Sequence, residues 1–213
     1  MTWLLALPIG YLVGSIPTSI IVGKLFFRKD IREHGSGNAG ASNAFRVFGT
    51  AAGLCVVAID IAKGAAAVLL AGLFEVPPGM TPAVIAFAGG VAAIVGHIWT
   101  VFARFRGGKG VATAGGVLLA LYPVTFAGAF LVFIVAVVLS GYTSLGSVLA
   151  AASFPFIMLG VVAGGIHDVP LFLQYLSVPL ALLILFTHRS NIRRLLRGEE
   201  NRFERIRIFH RNR

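Results

Sequence analysis

Three short polar segments of this 213-residue chain carry the residue types that handle phosphate. The first, His34-Gly-Ser-Gly-Asn-Ala-Gly-Ala-Ser-Asn43, lies in a loop between charged residues. Its glycines let successive backbone N–H groups converge on an anionic oxygen, and Ser36, Asn38, Ser42 and Asn43 add neutral donors. The same residue types also build ordinary turns. The second, Arg106-Gly-Gly-Lys-Gly110, opens the next helix and sets Lys109 and the N–H groups around Gly107 and Gly108 at a helix N-terminus, a favourable anion site. It lacks the G-x-x-x-x-G-K-[ST] spacing, so it is no Walker loop, and its plainer reading is a cationic anchor for a membrane span. The third, Thr187-His-Arg-Ser-Asn191, places His188, Arg189 and Asn191 on one turn of helix where the last apolar run ends.

What is missing narrows the chemistry. No His is followed five residues later by Asp, and there is no Gly-x-Ser-x-Gly. No carboxylate–histidine cluster has metal-ligand spacing, and Cys55 is the only cysteine, which excludes an internal disulfide and a Cys-based metal site. Cys55 reads as a small buried helix residue. A site that binds phosphate without an evident nucleophile, metal or cofactor suits an electrophile that arrives already activated.

These segments must be positioned by a membrane protein. The chain is 57% hydrophobic and only 12% charged, with a mean hydropathy of +0.89, against about 25% charged residues in soluble domains. Its formal charge of +10 points to anionic lipid headgroups rather than nucleic acid, because half of the basic residues lie in a tail beside a span and no soluble domain is left to carry a nucleic-acid site. The N-terminus has no basic region of the kind that precedes a cleaved signal, so the first apolar run reads as a permanent span.

Residues 2–26, 82–103, 145–165 and 169–187 are long and apolar enough to cross a bilayer. Residues 47–76 form a longer stretch that includes Asp60 and Lys63, three apart and able to pair on an interior-facing side. Pro123 divides 110–140 into two pieces. Lys24 to Arg46, Arg104 to Lys109 and nine arginines from Arg189 to Arg213 mark one side as cytoplasmic, whereas the other connections hold only Glu75 and Asp168. For Arg106–Gly110 and the tail to share that side, 110–140 must supply two crossings or none. Two gives seven spans, with the N-terminus outside and the C-terminus inside, and brings all the polar segments to one face. Gly10-x-x-x-Gly14 and Gly160-x-x-x-Gly164 suit close helix packing. Apolar residues among the tail arginines, including Ile192, Leu195, Ile206 and Phe209, suit a helix lying in the headgroup region.

Gly14-Ser-Ile-Pro-Thr18, Gly35-Ser-Gly-Asn-Ala-Gly-Ala-Ser-Asn43, Asp60-x-x-Lys-Gly64, Gly96-His97, Phe105-Arg-Gly-Gly-Lys-Gly-Val-Ala-Thr113, Thr143-Ser-Leu-Gly-Ser147 and Thr187-His-Arg-x-Asn-Ile-x-Arg194 stand in the order found in the PlsY family, which the chain resembles over roughly residues 5–203. Ala39 and Ser42 replace the family's usual Pro and Thr, and Thr100 replaces a common Pro. The resemblance implies an all-α, seven-helix integral membrane protein of the bacterial inner membrane with its active site facing the cytoplasm. It implies acyl transfer from a fatty acyl phosphate to the sn-1 hydroxyl of glycerol 3-phosphate, giving lysophosphatidate and phosphate, with membrane lipids as surroundings and neither metal nor cofactor.

On that basis residues 1–203 form a membrane acyltransferase domain and 204–213 a basic tail. Ser36, Gly37, Asn38, Ser42 and Asn43 form a phosphate-holding loop. Arg46 and Lys109 act as the main cationic clamps, with Gly107 and Gly108 beside them. Ser144, His188 and Asn191 complete the polar site with Lys109 through the resemblance. The proton goes to His188 or to a substrate phosphate oxygen. An exchanger or channel for phosphorylated anions is the competing reading. Intramembrane Asp60 and Lys63 and the broken 110–122 segment suit it, but the one-sided motifs oppose it. A structural scaffold leaves the clustered glycines and polar residues unexplained.

Overall fold

Proline and glycine decide where the apolar stretches break. The computed structural model describes residues 2–203, and every regular element among them is helical. A 3-10 turn, Thr2–Leu5, leads into α1 (Ala6–Gly14). Pro17 has no N–H to continue the helix, so the first apolar stretch is interrupted and resumes as α2 (Thr18–Phe27). After a 3-10 turn at Ile31–Glu33 come α3 (Ala41–Phe48), α4 (Thr50–Ala71) and α5 (Pro82–Ile98). A further turn, Val101–Ala103, precedes α6 (Val111–Leu121), α7 (Pro123–Ser140), α8 (Thr143–Ala163), α9 (Leu171–Thr187) and α10 (Arg189–Leu196). Pro82 and Pro123 sit in the first turn of their helices, where the missing N–H is no loss.

The helices pack as two compact units, Met1–Leu121 and Tyr122–Arg213. In the first, α1 lies against α5, and α4 against α1, α3, α5 and α6. Glycines permit this closeness. A Cβ on Gly10 or Gly14 would overlap the backbone carbonyl of Gly89 or Ala93, and one on Gly64 or Gly116 that of Thr113 or Ile61. In the second unit α8 packs against α7 and α9, and α10 against both α8 and α9. The expected packing through Gly160 does not occur. Gly160 has open space around it, and Gly164 meets only the end of its own helix and the side chain of Ile166.

Among the described residues, five stretches are long and apolar enough to cross a membrane: Thr2–Phe27, Thr50–Ala71, Pro82–Ala103, Pro123–Ser140 and Thr143–Ala163. α9 and α10, bent by 61° at their junction, make a sixth if they count as one span. The expected fourth span corresponds to α6, whose 11 residues reach only about 16 Å at 1.5 Å per residue, against about 30 Å of hydrocarbon. Cys55, expected to be buried, is exposed on α4. Lipid-facing and core-facing positions of an apolar helix are equally hydrophobic, so composition does not separate them. α10 covers the first part of the proposed interfacial helix, and the basic tail 204–213 lies outside the described residues.

Candidate active site

The Gly35–Asn43 loop is organised around one side chain. Asn43, in the first turn of α3, is only 2% exposed. Its Oδ1 accepts the backbone N–H of Ser36 at 2.9 Å. Its Nδ2 lies within 2.9–3.1 Å of the carbonyls of Ile31, His34 and Asn38. Gly35 and Gly37 have φ values of 61° and 70°, the left-handed region that favours glycine. The Gly37 N–H donates to the His34 carbonyl. The N–H groups of Ser36 and Gly37, expected to face an anion, are therefore spent within the loop, and Asn43 shapes it from beneath. Ser36 and Ser42 are exposed, Asn38 and Arg46 half-buried. Besides those two N–H groups, the loop carries the Ser36 and Ser42 hydroxyls and the Asn38 side-chain amide as donors. Ala39 is buried with Ile20, Ile31 and Ala103 under the loop.

Arg106–Gly110 folds back over the end of α5. Gly107 and Gly108 donate their N–H groups to the carbonyls of Ile98 and His97, both at 3.1 Å. Phe105 donates to the carbonyl of Thr100 at 2.8 Å, in a turn where Arg104 and Phe105 take left-handed φ values of 57° and 59°. Gly107 and Gly108 thus supply close approach rather than the free donors expected of them. The motif presents half-buried Lys109 and, past Gly110 at φ 86°, the N-terminus of α6. The two loops meet here, since a Cβ on Gly108 would stand 3.0 Å from the carbonyl of Ala39. Arg32 adds a second tie. Its guanidinium pairs with Asp30 at 2.7 Å and donates to the carbonyl of Ala103 at 3.1 Å. That hydrogen-bonded pairing pulls the Asp30 carboxyl down to about 2 against the opposing effect of burial, and raises the Arg32 guanidinium. An open recess of about 470 Å³ beside this junction is lined by Lys24, Arg32, Arg104 and Arg106, with Asp30 and Glu33.

Behind the second loop lies a buried polar cluster. Asp60 and Lys63 pair at 2.8 Å on α4, as their spacing requires. Thr18 donates to Asp60 at 2.9 Å, Lys63 donates to the Ile16 carbonyl at 2.9 Å, and His97 Nδ1 stands 3.6 Å from the same Asp60 oxygen. Thr100, at the position where the resembled family commonly has Pro, donates its hydroxyl to the Ser15 carbonyl.

The second unit holds its own polar group. His188 and Asn191 are buried at the α9–α10 bend. His188 Nδ1 is 2.9 Å from the carbonyl of Ile184. It must carry the proton to donate there, so the neutral ring's acceptor is Nε2. Asn191 donates to Glu200 Oε1 at 2.9 Å. Ser144, near the start of α8, is buried, and its hydroxyl has no hydrogen-bond partner among the described residues.

The glycerol-3-phosphate acyltransferase family pattern matches residues 4–198. The chain belongs to this family. It is 45% identical to the glycerol-3-phosphate acyltransferase of Chlorobaculum tepidum, over 95% of this chain and 97% of that one, and 44% identical to that of Chlorobium luteolum at the same coverage. Among solved structures it resembles PlsY, an integral membrane glycerol 3-phosphate acyltransferase, in its glycerol 3-phosphate form. The TM-score is 0.83 at 34% identity, over 95% of this chain and 96% of that one. The lysophosphatidic acid form aligns with a TM-score of 0.80. This is a glycerol-3-phosphate acyltransferase of the PlsY type, an integral membrane enzyme of lipid biosynthesis.

Sequence reasoning missed one residue of this acyltransferase. Glu200 receives Asn191 on one oxygen and Arg194 on the other, at 2.9 and 2.8 Å. It fixes the amide that the Thr187–Asn191 motif presents. The available signal was an acidic pair, Glu199-Glu200, inside an arginine-rich stretch.

Proposed function

We propose that the enzyme transfers a fatty acyl group from acyl phosphate to the sn-1 hydroxyl of glycerol 3-phosphate, releasing lysophosphatidate and inorganic phosphate. The observation that carries this is the meeting of the Gly35–Asn43 and Arg106–Gly110 segments at Ala39 and Gly108, beside a recess lined by four cationic residues. Solved relatives described as glycerol 3-phosphate and lysophosphatidic acid forms support the acceptor and the product. An acyl phosphate is a mixed anhydride whose phosphate leaves readily, so the protein's task is positioning and charge neutralisation. The acceptor oxygen forms a bond to the acyl carbon, the bond from that carbon to the phosphate oxygen breaks, and the hydroxyl proton goes to His188 or to a substrate phosphate oxygen. Ser36, Asn38, Ser42, Arg46 and Lys109 hold phosphate oxygens, Asn43 shapes their loop, and Ser144 and Asn191 serve the His188 group.

The same proposal puts these groups at the cytoplasmic face of a bacterial inner membrane. The chain crosses seven times, with α6 as a short crossing, the N-terminus outside and the C-terminus inside. Both units belong to one acyltransferase domain, since the family match runs through both. Purified protein given palmitoyl phosphate and glycerol 3-phosphate should yield lysophosphatidate and phosphate, and should leave acyl-CoA untouched. Turnover of acyl-CoA with none of acyl phosphate would reject the donor. In a Cys55→Ala background, Ser36→Cys and Leu145→Cys should label from the cytoplasm, and Pro78→Cys and His167→Cys from outside. Outside labelling at 145 would reject the seven-crossing topology.

A further inference from the structure

The Asp60–Lys63 pair is too far inside the packed helices to serve as an ordinary surface anchor, and the proposed acyl transfer gives it no part. Its neighbours suggest what it does. It joins three pieces of backbone through charge. Lys63 takes the Ile16 carbonyl at the α1–α2 break, where Pro17 interrupts the helix. Asp60 takes the Thr18 hydroxyl at the start of α2 and faces His97 Nδ1 in the last turn of α5. Asp60 and Lys63 are 2% and 5% exposed, so each charge depends on the other and on these few polar atoms.

The other side of the His97 ring carries the connection onward. Its Nε2 fills the place that a Cβ on Gly108 would occupy. The His97 carbonyl receives the Gly108 N–H, and the next carbonyl, of Ile98, receives the Gly107 N–H. Thr100 closes the same turn. Its hydroxyl reaches the Ser15 carbonyl, and its own carbonyl accepts the N–H groups of Ala103 and Phe105. Gly107-Gly108 therefore lies on His97 as on a seat, and Lys109 is the next residue.

We infer that the buried Thr18–Asp60–Lys63–His97 cluster positions Lys109, with His97 as the residue that passes the geometry from the ion pair to the loop. His97 is a positioning residue: Asp60 orients its ring, and the ring sets the height of Gly108 and thus the origin of the lysine side chain. This rests on Lys109 being a phosphate-holding group. A misplacement of about 1 Å at such a group can lower turnover roughly 100-fold.

A double-mutant cycle in the full-length purified enzyme separates this from a merely structural ion pair. His97→Asn and Lys109→Ala are made singly and together, with palmitoyl phosphate and glycerol 3-phosphate as substrates. Each single variant should lose roughly 10- to 100-fold in kcat/KM. In the Lys109→Ala background, His97→Asn should cost less than about 3-fold more, because the group it positions is gone. Equal losses in both backgrounds would overturn the inference and leave the role of Lys109 intact. Near-parental activity of Lys109→Ala would instead overturn the reading on which it rests. If His97→Asn does not fold, Gly108→Ala approaches the same contact from the loop side, and its loss of activity should likewise disappear in the Lys109→Ala background. A loss that persists there rejects the inference.

Discussion

Asn43 and Asp60 both hold irregular backbone together in the first unit, with opposite chemistry. Asn43 is neutral, and a single amide engages one N–H and three carbonyls of the loop it supports. Asp60 is charged, engages side chains of three other residues, and needs Lys63 one turn away to be tolerated. The amide stands in a water-facing connection, where local groups can be rehydrated if it is lost. The carboxylate stands in an apolar stretch, where a stranded charge has no water to turn to. The difference teaches that a neutral keystone fails locally, whereas half of a charged one endangers the whole unit.

Removing half of the charged keystone should have the largest effect. Asp60→Ala leaves Lys63 buried and unpaired, and breaking such a pair costs about 3–5 kcal/mol. The double variant Asp60→Leu/Lys63→Met should recover most of that stability, because it removes both charges and keeps apolar volume. Thermal unfolding in detergent measures both. Equal destabilisation by the single and double variants would show that charge is irrelevant and break the comparison. Asn43→Ala comes next, at about 2–3 kcal/mol for the groups it orphans. Its damage should be confined: faster hydrogen exchange at residues 31–40 and a raised KM for glycerol 3-phosphate, with α4 and α5 protected as before. Exchange that also rises in α4 would remove the distinction between local and global failure.

Residue types and spacing made the motifs legible, and they made the Asp60–Lys63 pair legible because three residues is nearly one helical turn. The direction of the loop N–H groups was not legible. It depends on the sign of φ at Gly35 and Gly37 and on which carbonyls the chain folds back to meet. A glycine-rich segment reads the same whether its N–H groups face a ligand or, as at Gly107 and Gly108, the end of a helix. The break at Pro17 was visible as a residue, but a hydropathy window runs straight over it, and Thr2–Phe27 still counts as one apolar stretch. Gly10-x-x-x-Gly14 and Gly160-x-x-x-Gly164 are identical patterns, yet only the first has a helix against it.

That last contrast sharpens the account of the charged keystone. Gly14 immediately precedes the Ser15–Pro17 break whose Ile16 carbonyl Lys63 uses. Gly14→Ala would press a methyl group into the backbone of Ala93 and should cost about 1–2 kcal/mol as overpacking, with a fall in activity through the displaced break. Gly160→Ala, made at an open position, should stay within about 0.5 kcal/mol. Comparable losses from the two would mean that the substitution itself, rather than the neighbour it meets, sets the cost.

Asp30 and Arg32 provide the smallest and most discriminating comparison, because they are charged like Asp60 but stand in the same connection as the Asn43 loop. Their side chains are partly exposed, so the pair should contribute only about 0.2–1 kcal/mol. The sign of its pH dependence follows from the Asp30 carboxyl, held at about 2 by the side-chain hydrogen bonds with Arg32, below its ordinary 3.8. A carboxylate with a lowered folded-state pKa stabilises fully above its unfolded value and loses that contribution as pH falls through the folded value. The melting temperature of the parent should therefore exceed that of Asp30→Asn by a small constant amount above about pH 4, and the gap should close by about pH 2. Asn keeps an acceptor for the Arg32 N–H that Asp30 now receives, so the gap reports the charge rather than the turn. A gap as large as that for Asp60→Ala would show that charge alone, and not burial, makes a keystone fragile. A gap that widens toward acid would reverse the sign and place the stabilising proton on the folded protein instead.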